Sequence, residues 1–96
     1  MMDNLDPLLH SQLRLAIVSL LVKHDTADFS FLKEKTEATA GNLSVQLKKL
    51  EEAGYIEIVK RFKNNYPQTS CQLTDKGLNA FERYVKTITE YLNPKN

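Results

Sequence analysis

Hydrophobic spacing divides the chain into helical and extended stretches, most clearly near its middle. From Thr39 to Gly54, Ala40, Leu43, Leu47 and Leu50 recur on one side of a 3.6-residue repeat. Gly41, Asn42, Val45, Lys48 and Lys49 fall on the other side, which carries no acidic residue before Glu51. Thr39 is a favourable N-cap, and Gly54 stands where a left-handed residue closes a helix. The pattern predicts a helix with an apolar back and an outer face of small polar residues followed by two lysines.

Two helices are predicted before it. Leu9, Leu13, Ala16, Ile17, Leu20 and Leu21 form a wide stripe between Asp6 and Lys23, broad enough to face two neighbours. Asp6 caps and Pro7 suits the first helical position, while Ser11 offers a restart; the segment is either one bent helix or two pieces. After the polar linker His24–Asp28, Ser30 is the expected cap of a short helix from Phe31 to about Glu37, with Phe31 and Leu32 inward. Ala27–Phe29 is long enough for a very short strand. Thr36–Thr39 then makes a tight connection into the central helix, so the two form a helix-turn-helix.

After Gly54 the period falls to two. Tyr55–Phe62 is rich in β-branched and aromatic residues, Lys63–Gln68 is a turn-rich break, and Thr69, Cys71 and Leu73 share one strand face. This predicts a hairpin with a polar, basic tip. Thr74 and Asp75 open a last helix, with Leu73 and Leu78 as a hydrophobic staple and Asn93-Pro94 as its stop. Along it Leu78, Phe81, Val85, Ile88 and Leu92 follow coiled-coil spacing. Such a seam needs cover. Together with Leu9 and Leu13 of the first helix, it is the expected interface of a homodimer.

The fold class is therefore mainly α with a small β-hairpin, in the order α-α-α-β-β-α. One domain over residues 1–96 is expected, with the hairpin at about 55–73 and the long last helix at about 75–92. A composition of 42% hydrophobic and 26% charged residues is that of a folded rather than a disordered chain. No apolar run is long enough to span a membrane, and the N-terminus lacks signal-peptide character. A single cysteine makes no internal disulfide and suits a reducing cytoplasm, the expected location.

Net charge is only +1, but it is unevenly spread: −2 over residues 1–39, +2 over 40–72 and +1 over 73–96. The excess gathers on the central helix and hairpin, the local footprint of a nucleic-acid surface. Paired carboxylates, a Cys–His set, metal-ligand spacing and phosphate-binding glycine loops are all missing, so neither an enzyme nor a cofactor is expected. His10 and His24 are expected as surface residues rather than ligands. Cys71, beside Leu73, is expected as a buried hydrophobe rather than a thiol sensor. Tyr55, Tyr66, Tyr84 and Tyr91 are expected to pack with a wet hydroxyl.

An ordered set of motifs carries a family resemblance. GNLS at the central helix start, LKKLEEAGY at its end, KRF at residues 60–62, Pro67-x-Thr69, and LT-x-x-G at residues 73–77 together resemble the small winged helix-turn-helix DNA-binding regulators related to the MarR and ArsR groups. Arg14, in QLRLAIVSLL, also resembles that family's first helix, and the likeness spans residues 8–92. It implies a dimeric, sequence-specific regulator of transcription acting on double-stranded DNA. Carried over by position, Thr39, Gly41, Asn42, Ser44, Val45, Lys48 and Lys49 belong to the recognition helix, and Arg61, Lys63, Asn64 and Asn65 to the wing. The resemblance also implies effector binding between the end helices, though no residue singles out a small molecule.

The residue types suit those roles. Lys48, Lys49, Arg61 and Lys63 neutralise phosphates, and eight such contacts in a dimer give a salt slope of roughly −7. Asn42 matches an adenine edge and Val45 a thymine methyl, while Thr39 and the first amides of the helix face a phosphate. The outer face has no arginine for a bidentate guanine contact. That departure keeps an alternative open, a winged-helix protein–protein interaction module that does not bind DNA.

Overall fold

A computed structural model describes residues 4–93. The elements run α1 (Gln12–His24), β1 (Thr26–Asp28), α2 (Phe29–Thr36), α3 (Ala40–Glu52), β2 (Ile56–Lys63), β3 (Tyr66–Leu73) and α4 (Asp75–Leu92). The three strands form one antiparallel sheet in the order β1-β3-β2. Leu43, Leu47 and Leu50 of α3 enter one apolar cluster with Ile17, Val18 and Leu21 of α1, Leu32 of α2, and Ile56 and Cys71 of the sheet. α1 touches α2, α3, β1, β3 and α4, which accounts for the breadth of its apolar stripe.

The helix caps explain much of the chain's local order. Thr39 Oγ1 accepts from the Asn42 amide at 3.1 Å and starts α3. At its other end the Gly54 amide bonds to Glu51 O and the Tyr55 amide to Leu50 O, a Schellman closure with Gly54 at φ +80°. Thr74 caps α4 by accepting from the Gly77 amide, and donates its own hydroxyl proton to Gly54 O. A Cβ on Gly77 would lie 2.2 Å from the Tyr55 carbonyl oxygen, so glycine lets α4 start directly against the end of α3. The LT-x-x-G motif thus joins α4 to the α3–β2 corner.

Several expectations are corrected. The first helix begins at Gln12, not near Asp6, so the two-piece alternative holds. Residues 7–10 form a separate turn in which the Asp6 carboxylate accepts from the Leu8 amide. That turn inserts Leu9 into the core at 0% exposure, so Leu9 is not available to a partner subunit. The second helix is capped by Asp28, which accepts from the Phe31 amide, rather than by Ser30, and therefore starts at Phe29. It ends one residue early, at Thr36, with Glu37 left-handed.

The strand expected around Ala27 pairs with β3, with Ala27 opposite Cys71. The break expected at Lys63–Gln68 is instead a two-residue turn. Asn64 and Asn65 both take positive φ, which asparagine tolerates and two-residue hairpins require. Lys63–Tyr66 is the closing pair, so Phe62–Pro67 is a non-hydrogen-bonded pair. The missing amide of Pro67 then faces outward, beyond the reach of β1, and costs the ladder nothing.

α4 packs on its own subunit through Gly77, Ala80, Tyr84 and Thr87. The seam read from the sequence lies beside that face. Phe81 and Ile88 are half-buried, while Leu78, Val85 and Leu92 are exposed. Asn93 is the C-cap, and Pro94 lies outside the described residues. His10 and His24 are exposed, and His10 Nδ1 lies 3.0 Å from the hydroxyl of buried Tyr84. Among the described residues no helix is long and apolar enough to cross a membrane.

Half-buried Tyr55 and buried Cys71 are held in their neutral forms. Burial, and then the hydrogen bond to Asp6, push the Tyr55 hydroxyl up to about 12. Burial, and then nearby Glu51, push the Cys71 thiol up to about 11. Their neutral forms stabilise the fold fully below the ordinary values of 9.0 and 10.0, and that contribution disappears as pH rises through 11 and 12. Urea unfolding should therefore show stability falling between about pH 9 and 12. Tyr55→Phe should flatten the upper part of that fall. Gly77→Ala should destabilise by about 1–3 kcal/mol, because a backbone carbonyl cannot move aside as a side chain can. Thermal unfolding checks it.

Candidate nucleic-acid interface

With its leucines committed to the core, α3 turns its other side outward. Thr39, Gly41, Asn42, Ser44, Val45, Lys48 and Lys49 are all exposed, Val45 by 51%. By helical geometry Gly41 and Val45 stand outermost. Ser44 and Lys48 lie on the flank toward the hairpin, and Asn42, Gln46 and Lys49 on the flank toward α1. Charge is graded along the same face. The first turn is uncharged, the lysines follow, and Glu51 and Glu52 close the helix. A polyanion is therefore better met by the face from Thr39 to Lys49 than by the last turn. Lys48 Nζ lies 3.9 Å from Glu51, an exposed pair that salt and a competing phosphate readily separate.

Between α3 and the hairpin runs a groove of about 720 Å³. Its floor is apolar, from Phe29, Leu47 and Ile58, and its rims carry Ser44, Lys48 and Glu51 on one side and Lys60 and Thr69 on the other. Lys60 and Thr69 are a cross-strand pair on the face that includes Ile56 and Ile58. Arg61 and Lys63 alternate to the opposite face, where Arg61 pairs with Gln68 and Gln68 donates to Asp28. The structure thus brings Ser44 and Lys48 together with Lys60, which sequence reasoning had not placed in the site. It leaves Arg61 and Lys63 on the outer side of the hairpin. The signal was present, since Lys60 lies two and four residues from Ile58 and Ile56.

The hairpin tip is fully open. Asn64 and Asn65 form the turn, and Phe62 and Tyr66 are 80% and 75% exposed. The molecule measures 58 × 25 × 21 Å, elongated rather than spherical. Among the described residues no cluster of His, Cys, Asp and Glu could hold a metal ion. A helix with a free outer face, a groove beside it carrying two lysines, and a projecting hairpin can embrace a duplex.

Comparison with known proteins agrees. The model of a winged helix DNA-binding domain family matches residues 13–92, and the chain belongs to that family. An uncharacterized protein of Methanocaldococcus jannaschii is 38% identical over 81 residues, 84% of this chain and 88% of that one. The structure of a transcriptional regulator homologue from Pyrococcus horikoshii superposes with a TM-score of 0.84 at 26% identity, covering 90% of this chain and 85% of the other. The transcriptional regulator BldR of Sulfolobus solfataricus shares the fold, with a TM-score of 0.72 at 17% identity over 86% of this chain and 58% of its own. The likeness to winged-helix transcriptional regulators drawn from the sequence therefore holds.

Gly41 supplies a test of the outer face. A Cβ there meets nothing within 4 Å, so the fold itself does not require glycine. Gly41→Ala should keep or raise thermal stability, by up to about 1 kcal/mol from helix propensity. The same variant should bind duplex DNA more weakly, because the added methyl stands between the helix and its partner.

Proposed function

We propose that the protein is a dimeric, sequence-specific transcriptional regulator. The N-terminal half of α3 enters the major groove, and the hairpin serves as a wing on the adjacent backbone or minor groove. The observation that carries this reading is the division of α3 into a leucine back at 0–2% exposure and an uncovered outer face. Asn42, Ser44 and Val45 are the base-facing residues, and Lys48, Lys49 and Lys60 the inner phosphate contacts. Arg61, Lys63, Asn64 and Asn65 meet the backbone farther out. Residues 1–96 act as one cytoplasmic, non-enzymatic domain.

The second copy covers α4. Leu78, Val85 and Leu92 expose an apolar stripe on an 18-residue helix whose other side is already packed. Phe81 and Ile88 are the half-buried residues beside it; Leu13 is half-buried in a pocket with Thr36, Ala38 and Asn42, and Leu9 takes no part. A twofold dimer reads two half-sites about one helical turn apart.

Selection of bound sequences from random duplexes at two salt concentrations tests the reading. The expected product is a palindrome with that spacing, bound less tightly at the higher salt. Lys48→Ala or Lys49→Ala should flatten the salt slope by about 2 for a dimer. No enriched sequence, together with a stoichiometric protein partner, would support the interaction-module alternative instead. Sedimentation should give a dimer, and Val85→Glu a folded monomer; a wild-type monomer at all concentrations would contradict the α4 interface.

A further inference from the structure

One polar chain runs from the N-terminal turn to the outer face of α3. Arg14 Nε donates to Leu8 O at 2.6 Å, which anchors the guanidinium against the N-terminal turn. Its Nη1 donates to Gln46 Oε1 at 2.5 Å, and Gln46 Nε2 donates to Asn42 Oδ1 at 3.0 Å. Arg14 and Gln46 are half-buried, and Asn42 is exposed.

The direction of this chain is forced. A guanidinium has donors only. Gln46 must therefore turn its carbonyl oxygen to Arg14, which leaves its NH₂ group to face Asn42. Asn42 must in turn point Oδ1 at Gln46. A free asparagine amide costs little to flip, and the two ways round offer opposite donor and acceptor patterns to a base edge. Here the flip would set two NH₂ groups against each other.

Resting on the DNA-binding reading above, we propose that Arg14 and Gln46 are positioning residues for base recognition. They touch no base. They set which way round Asn42 presents its amide, and so which base is preferred at the position it reads. Asn42 offers one polarity of donor and acceptor rather than both, and this oriented amide supplies discrimination on a face that has no arginine.

Gln46→Glu separates polarity from structure. A carboxylate still accepts from Arg14, but it has no proton for Asn42, whose amide must then turn to donate. Selection from random duplexes should show a changed base preference at one position of each half-site, by about tenfold or more, with the other positions retained. The added negative charge lowers affinity for all sequences alike, so the readout is preference rather than affinity. Arg14→Lys, which also only donates, should keep the wild-type preference, whereas Arg14→Gln should broaden it. In an Asn42→Ala background the preference at that position should be lost, and Gln46→Glu should change nothing there.

In the free protein, the side-chain amide resonances of Asn42 should move in Gln46→Glu and stay in place in Arg14→Lys. An unchanged base preference in Gln46→Glu, or a change that persists with Asn42→Ala, would overturn this inference alone. Failure of the wild type to enrich any sequence would overturn the DNA-binding reading and this inference with it.

Discussion

The structure depends on the burial of three leucines. Leu43, Leu47 and Leu50 lie one helical turn apart and are all but removed from solvent. Each is worth about 2 kcal/mol of transfer free energy, so together they match a large share of a small domain's net stability. α3 cannot roll about its axis without exposing them. Its outer face is therefore presented in one fixed orientation, and Thr39 at one end and Gly54 at the other fix its length. The same burial that holds the fold together decides which residues are free to meet another molecule.

The segment before α1 extends that constraint to both ends of α3. Asp6 accepts from the Leu8 amide through one carboxylate oxygen and from the Tyr55 hydroxyl, at 2.5 Å, through the other. The Leu8 carbonyl in turn accepts from Arg14, which donates to Gln46, and Gln46 donates to Asn42. One short turn is thus tied to the residue that follows α3 and to the polar flank of its first half. Leu9 anchors this turn in the core. Leu9, whose spacing suggests a partner subunit, thus holds the N-terminal turn in place within its own subunit.

What could be read without coordinates was whatever local chemistry decides. The caps of α3 and α4, the leucine stripe, the glycine after α3 and the change of period at Tyr55 each act within a few residues, and each appears where expected. Misreadings arose where a distant partner chose between local options. Asp28 and Ser30 both suit a cap, and the pairing of β1 with β3 places Asp28 at the helix start. Asn64-Asn65 was hidden inside a longer polar run, although only those two residues need a positive φ. Lys60 adds to the local charge in the sequence, but the face of a strand residue matters only once the groove beside α3 exists. The tie between Arg14 and Gln46 crosses 32 residues and has no local trace.

The account stands on the uncovered side of α3 being the surface that meets DNA. Amide chemical shifts recorded while a selected duplex is titrated into the protein test this most directly. The account predicts that the largest changes fall on residues 39–49 and on 60–66, with α1 beyond Arg14 and the packed face of α4 nearly silent. Changes concentrated on α1 or α4, with Asn42, Val45 and Lys48 unmoved, would contradict it.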